Sequence, residues 1–167
     1  MQRFDEFEQS PPASSDDRPN RTPWPPILYA GVLAVSYLLE RAIPLSSMPR
    51  HGALQTLGWA VFALGVVIGL AGILQFRTLG TPVDPTGQAK HLATAGIYAF
   101  SRNPMYLGAV TGLIGLAFAL TSAWLLILSL LLPLALRKLA IEPEEAYLTR
   151  RFGSAYEGYM SRVRRWL

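Results

Sequence analysis

The sequence predicts an all-α integral membrane protein with about four transmembrane helices, a C-terminal helical hairpin and cytoplasmic amphipathic helices. Composition is the first reason: 51% of the 167 residues are apolar and only 16% charged, too few charges for an ordinary soluble domain of this length. The second is two long uncharged runs, Leu54 to Phe76 over 23 positions and Met105 to Leu136 over 32. The third is the placement of lysine and arginine. If the longer run is a hairpin turning at Thr121-Ser122, thirteen basic residues fall on one side of the bilayer and only Arg41 and Arg50 on the other. A single helix there would split them six against nine, which is no bias. Spans at about 27–43, 54–76, 105–120 and 123–141 follow, with both termini cytoplasmic and the chain in the inner (cytoplasmic) membrane.

Several chemistries are excluded. There is no cysteine, hence no disulfide, thiolate nucleophile, cysteine-held zinc or iron-sulfur cluster. His51 and His91 are too far apart in sequence to form a close-spaced ligand pair, and no metal site is expected. The net charge of +4 flanks apolar segments, a pattern made by membrane topology, so no nucleic-acid partner is expected.

In chain order, residues 1–25 carry five acidic residues with prolines and serines and no apolar run, which reads as a flexible N-terminal tail and not a secretory signal. Residues 26–167 form the single membrane domain. Pro25-Pro26 opens the first helix where a missing N–H costs nothing. Leu45 to Gly52 is a short turn. On the second span, Gly58, Gly65, Gly69 and Gly72 line one face and let a neighbouring helix approach, within one bundle or in a homodimer. The stretch from Arg77 to Ser101 is a long loop without a clear period, of the kind that carries function. Pro133 should kink the last span. Glu142-Pro143 marks a helix boundary, with Glu144 and Glu145 in the next first turn and Leu148 and Phe152 on one face. Gly153 ends that helix, and Ser154 with Glu157 makes a capping box for another. Its stripe is Tyr156, Tyr159 and Val163, with Arg162, Arg164 and Arg165 set for lipid headgroups.

Under four spans, Arg102 and the Glu144-Glu145 pair meet at the same cytoplasmic boundary. A guanidinium there can hold a carboxylate or phosphate by paired hydrogen bonds, and the carboxylates can bind a cation or ribose hydroxyls or act as a base. Tyr98 and Tyr106 add aromatic faces. Singly, each has a plainer reading: a snorkelling arginine, belt tyrosines, an acidic first turn.

As a set, Gly96-Ile97-Tyr98, Ser101-Arg102-Asn103-Pro104-Met105-Tyr106-Leu107-Gly108, Glu144-Glu145-Ala146-Tyr147-Leu148, Phe152-Gly153, Tyr156, Tyr159 and Val163-Arg164-Arg165-Trp166-Leu167 resemble the isoprenylcysteine carboxyl methyltransferase family and its phospholipid methyltransferase relatives, in their prokaryotic branch. The resemblance covers about residues 88 to 167. It implies transfer of a methyl group from S-adenosylmethionine to a lipid-like acceptor, an isoprenoid or prenylcysteine carboxylate or a phospholipid amine. It further implies a cofactor enclosure of His91, Gly96, Tyr98, Arg102, Asn103, Pro104, Tyr106, Glu144 and Glu145, with Arg102 and Glu145 as the catalytic pair. Asn103 and Arg164 depart from the prenylcysteine enzymes, where histidine and proline are usual. Two rival readings are an NADPH-dependent membrane reductase of the sterol-reductase type, which resembles the same C-terminal half, and a non-catalytic membrane scaffold.

Overall fold

The computed structural model describes residues 22–45, 51–78 and 91–167. The tail as far as residue 21, most of the turn after the first span and residues 79–90 of the long loop lie outside the described residues. The described chain is helical throughout: α1 (Trp24–Ala42), α2 (Gly52–Thr78), a 3-10 turn (Gly96–Ala99), α3 (Pro104–Leu120), α4 (Ala123–Leu136), a π-helical turn (Arg137–Ile141), α5 (Glu142–Phe152) and α6 (Ser154–Met160).

Helices α2 and α3 pack along their length, α4 packs on α3, and α1 on α4. The α2–α3 seam is antiparallel and built on glycine. A side-chain carbon at Gly65 would meet the backbone of Gly112 and stand 2.6 Å from Gly108 O; one at Gly58 would stand 2.8 Å from Gly115 O. Glycines from both helices therefore let main chain lie against main chain, the arrangement favoured where lipid offers no hydrophobic drive to associate. The expected glycine face holds at 58, 65, 69 and 72, Gly69 as the backbone against which Gly108 lies. At Gly69 an added carbon would meet nothing within 4 Å.

The remaining core is formed by Tyr106, Val110, Leu113 and Ala117 of α3 against Leu125, Leu132 and Leu136 of α4, continuing to Ala140 and Ile141. Facing outward are exposed leucines and valines on α1, α2 and α4, including Leu38, Leu57, Val67, Leu70, Leu130 and Leu134. So continuous an apolar exterior suits hydrocarbon and not water. Among the described residues two helices are long and apolar enough to cross a bilayer, Gly52–Thr78 and the continuous stretch Ala123–Phe152, with α3 a shorter apolar helix. The protein is an integral membrane protein of the all-α class.

The hairpin turns at Thr121, whose left-handed conformation (φ 53°) ends α3, and at Ser122, whose hydroxyl accepts from Leu125 N–H to cap α4. The same hydroxyl donates to Glu40 Oε2 at 3.0 Å, and Trp124 Nε1 donates to Ile43 O at 2.8 Å, so the end of α1 is tied to this turn.

Three expectations need correction. Glu142-Pro143 is not a helix boundary: Pro133 lies within α4, and the chain runs from α4 through the π-helical turn into α5. The wider turn, with Glu142 N–H reaching Arg137 O, absorbs the proline that would break an ordinary helix. The capping box does not form, because Ser154 is already the first residue of α6, with no side-chain cap bond, and Gly153 (φ 49°) occupies the capping position. Val163 lies beyond α6, which ends at Met160.

Candidate functional site

The site is assembled where the C-terminal end of α2 and the N-terminal ends of α3 and α5 meet the loop before α3. Gly96 starts the 3-10 turn at φ +60°, a conformation that favours glycine, and packs against the end of the Gln75 side chain. The turn sends Tyr98 inward, 4% exposed, with its ring edge-on to Phe76 at 5.2 Å. Its carbonyl accepts from the Tyr159 hydroxyl at 2.7 Å. Next, Asn103 carries the first turn of α3 by accepting from Leu107 N–H, and Pro104 occupies the start of the helix, where its missing donor is harmless.

This loop is strapped down by the last residues of the chain. Arg102 N–H donates to Arg164 O at 3.1 Å and Asn103 Nδ2 donates to Arg165 O at 3.0 Å, with Ser101 Oγ reaching the same carbonyl at 3.5 Å. Arg165 is the fourth correction. It is not turned to headgroups but forks onto Glu145, Nε to Oε1 at 3.0 Å and Nη2 to Oε2 at 2.6 Å. That bond raises the already high pKa of Arg165.

Arg102 Nη1 lies 3.1 Å from Glu145 Oε1, out of line for a hydrogen bond. The Nε and Nη1 of Arg102 and the hydroxyl of Tyr98 are buried without hydrogen-bond partners. Donors buried in this way are costly and rare unless something else completes them. Glu144, by contrast, accepts from the Tyr106 hydroxyl at 3.0 Å. Burial raises the Glu144 carboxyl above the usual carboxylate range, opposed by the bond from Tyr106 and reinforced by the neighbouring Glu145.

These groups share one cavity of about 560 Å³, within the usual range for small-molecule sites. Its wall follows α2 from Phe62 to Phe76, roughly 21 Å of helix rise, and includes Gly69, whose missing side chain leaves space. Of the sequence-derived residues, Tyr98, Arg102, Asn103, Tyr106, Glu144 and Glu145 line the cavity, together with the exposed His91. Gly96 and Pro104 stand behind the wall, the first against Gln75 and the second fully buried beside Gly72. Tyr29 of α1 and Tyr147 of α5 also line it and were not expected. Tyr29 had one available signal, an aromatic residue one turn after the Pro25-Pro26 start. Tyr156 and Tyr159 close the side nearest the C-terminus; burial pushes the Tyr156 phenol up to about 12 and that of Tyr159 higher still, so both remain protonated donors. Among the described residues no cluster of metal-ligating side chains occurs.

Among curated proteins no sequence match was found. Among solved structures, the chain resembles the eukaryotic intramembrane Ras methyltransferase, isoprenylcysteine carboxyl methyltransferase, with a TM-score of 0.64 at 23% identity, over 86% of this chain and 52% of that one. The chain thus spans about half the length of that enzyme, and the likeness is one of fold. The family model for phospholipid methyltransferases matches residues 54–155, from the start of α2 through the glycine seam, the Arg102 loop and both glutamates to the first turn of α6. The chain belongs to the phospholipid methyltransferase family.

Proposed function

We propose that this protein transfers a methyl group from S-adenosylmethionine to a lipid-like acceptor, in a four-span bundle whose termini and site face the cytoplasm. The observation that carries the reading is Arg102, a largely enclosed cation in a small-molecule-sized cavity with two donors that no described residue completes by a hydrogen bond. Those donors suit the carboxylate of the cofactor's amino-acid end, and the free hydroxyl of Tyr98 adds a third polar contact nearby. When bound, S-adenosylmethionine supplies an electrophilic methyl group on a sulfonium. The chain's part is to hold the reactants in line and keep water out, which can provide most of the acceleration. A carboxylate acceptor arrives ionised and needs no base. An amine acceptor must lose a proton, and in this reading Glu144, bonded by a tyrosine and not an arginine, takes it.

The rival nicotinamide reading fits less well. A 2′-phosphate calls for a basic cluster, whereas the described cavity lining holds one arginine and no lysine.

The test is calorimetry with S-adenosylhomocysteine on protein purified in detergent, with mass spectrometry of co-purifying small molecules alongside. Wild type should bind. Arg102→Gln should weaken binding by about two orders of magnitude, since each hydrogen bond to a charged group contributes about 1.5–3 kcal/mol. Its thermal midpoint should not fall. Wild-type affinity in Arg102→Gln would refute the assignment.

A further inference from the structure

We infer that Arg165 is a positioning residue: by holding Glu145 in a two-pronged ion pair, it limits that carboxylate to one out-of-line contact with Arg102 and so keeps the Arg102 donors available for a ligand's carboxylate. The inference rests on the cofactor reading above. It starts from a competition visible in the distances. Glu145 has two oxygens and two arginines within reach. The fork of Arg165 takes both oxygens, at 3.0 and 2.6 Å, whereas Arg102 has a single misaligned approach of 3.1 Å to the oxygen that Arg165 Nε already uses. An arginine beside a carboxylate ordinarily pairs with it through two parallel bonds. Here the second arginine has taken that geometry, and Arg102 is left with Nε and Nη1 unsatisfied.

Charge gives the same result. Two guanidinium groups share one carboxylate, so the cluster carries one positive charge in excess, and its side chains are only 12% (Arg102), 14% (Glu145) and 28% (Arg165) exposed. Glu144 lies next door, but its hydrogen bond is to Tyr106, away from the arginines. An anion is the ligand that completes such a cluster.

The backbone restricts the alternatives further. Arg102 cannot withdraw from Glu145 by moving its main chain, because its N–H is bonded to Arg164 O and the next residue's side chain to Arg165 O. The same two residues at the end of the chain therefore fix the Arg102 backbone and tie up the carboxylate that would neutralise its side chain.

Removing the Arg165 side chain should let Glu145 turn to Arg102 and quench it. The experiment compares two probes on the full chain in detergent: S-adenosylhomocysteine, which carries the amino-acid carboxylate, and 5′-methylthioadenosine, which lacks it. Arg165→Ala should lose tenfold or more in affinity for the first and stay within about twofold for the second. Arg165→Lys, which keeps the charge but not the fork, should lose less. A purely structural role would weaken both probes together and lower the thermal midpoint; that result, or unchanged S-adenosylhomocysteine affinity, would overturn the inference. If the alanine variant fails to fold, Arg165→Lys carries the same two-probe comparison. Binding of neither probe by wild type would instead sink the cofactor reading, and this inference with it.

Discussion

The α2–α3 seam and the cluster around Glu145 each join segments distant in sequence, by opposite means. In the seam, Gly58 and Gly65 meet Gly115, Gly108 and Gly112 with no side chain between the two backbones. In the cluster, side chains make the join: Arg165 reaches Glu145 across 20 residues, and Asn103 reaches the Arg165 carbonyl across 62. The seam is main chain against main chain, and its glycines Gly65, Gly108 and Gly112 also border the cavity. The cluster is incomplete, with two arginine donors and a tyrosine hydroxyl buried and unbonded. In one molecule the satisfied contact reads as scaffold and the unsatisfied one as a place for a ligand.

That contrast can be broken deliberately. The largest effect is expected at the seam. Gly65→Leu puts a side chain into the backbone of α3, which cannot yield as a flexible side chain would, and should destabilise by at least about 3 kcal/mol. Loss of the monodisperse peak in detergent gel filtration would report it. An intermediate effect is expected where the two regions meet the loop. Tyr159→Phe removes the bond to the Tyr98 carbonyl and should cost about 1–2 kcal/mol, read as a lowered midpoint in thermal unfolding. The smallest belongs to Gly69→Ala, four residues from Gly65 on the same helix. An added carbon there meets nothing within 4 Å, and alanine is the better helix former, so stability should hold or rise slightly. Equal losses at Gly65 and Gly69 would mean that the seam is not where the glycines place it.

The two regions also differ in how well the sequence announces them. The uncharged run of α2, its glycine face and the hairpin after Met105 are local patterns, legible from spacing and from the distribution of arginine and lysine. The charge count also placed Arg102 and the glutamate pair at one boundary, and the structure finds Arg102 3.1 Å from Glu145. What the sequence hid depends on long-range geometry or on an irregular turn. Arg165 looks like one more headgroup-facing arginine until the chain end folds back onto α5. Pro143 reads as a helix stop because a π-helical turn cannot be foreseen from one proline. Tyr147 resembles any aromatic residue of an amphipathic helix, and only packing shows it 1% exposed in the cavity wall.

The most direct test of the central claim is a structure of the chain with S-adenosylhomocysteine bound. The account predicts the ligand's carboxylate within hydrogen-bond distance of Arg102 Nε and Nη1, with the fork from Arg165 to Glu145 intact. A carboxylate held elsewhere, or Glu145 closed on Arg102 with the ligand in place, would contradict it.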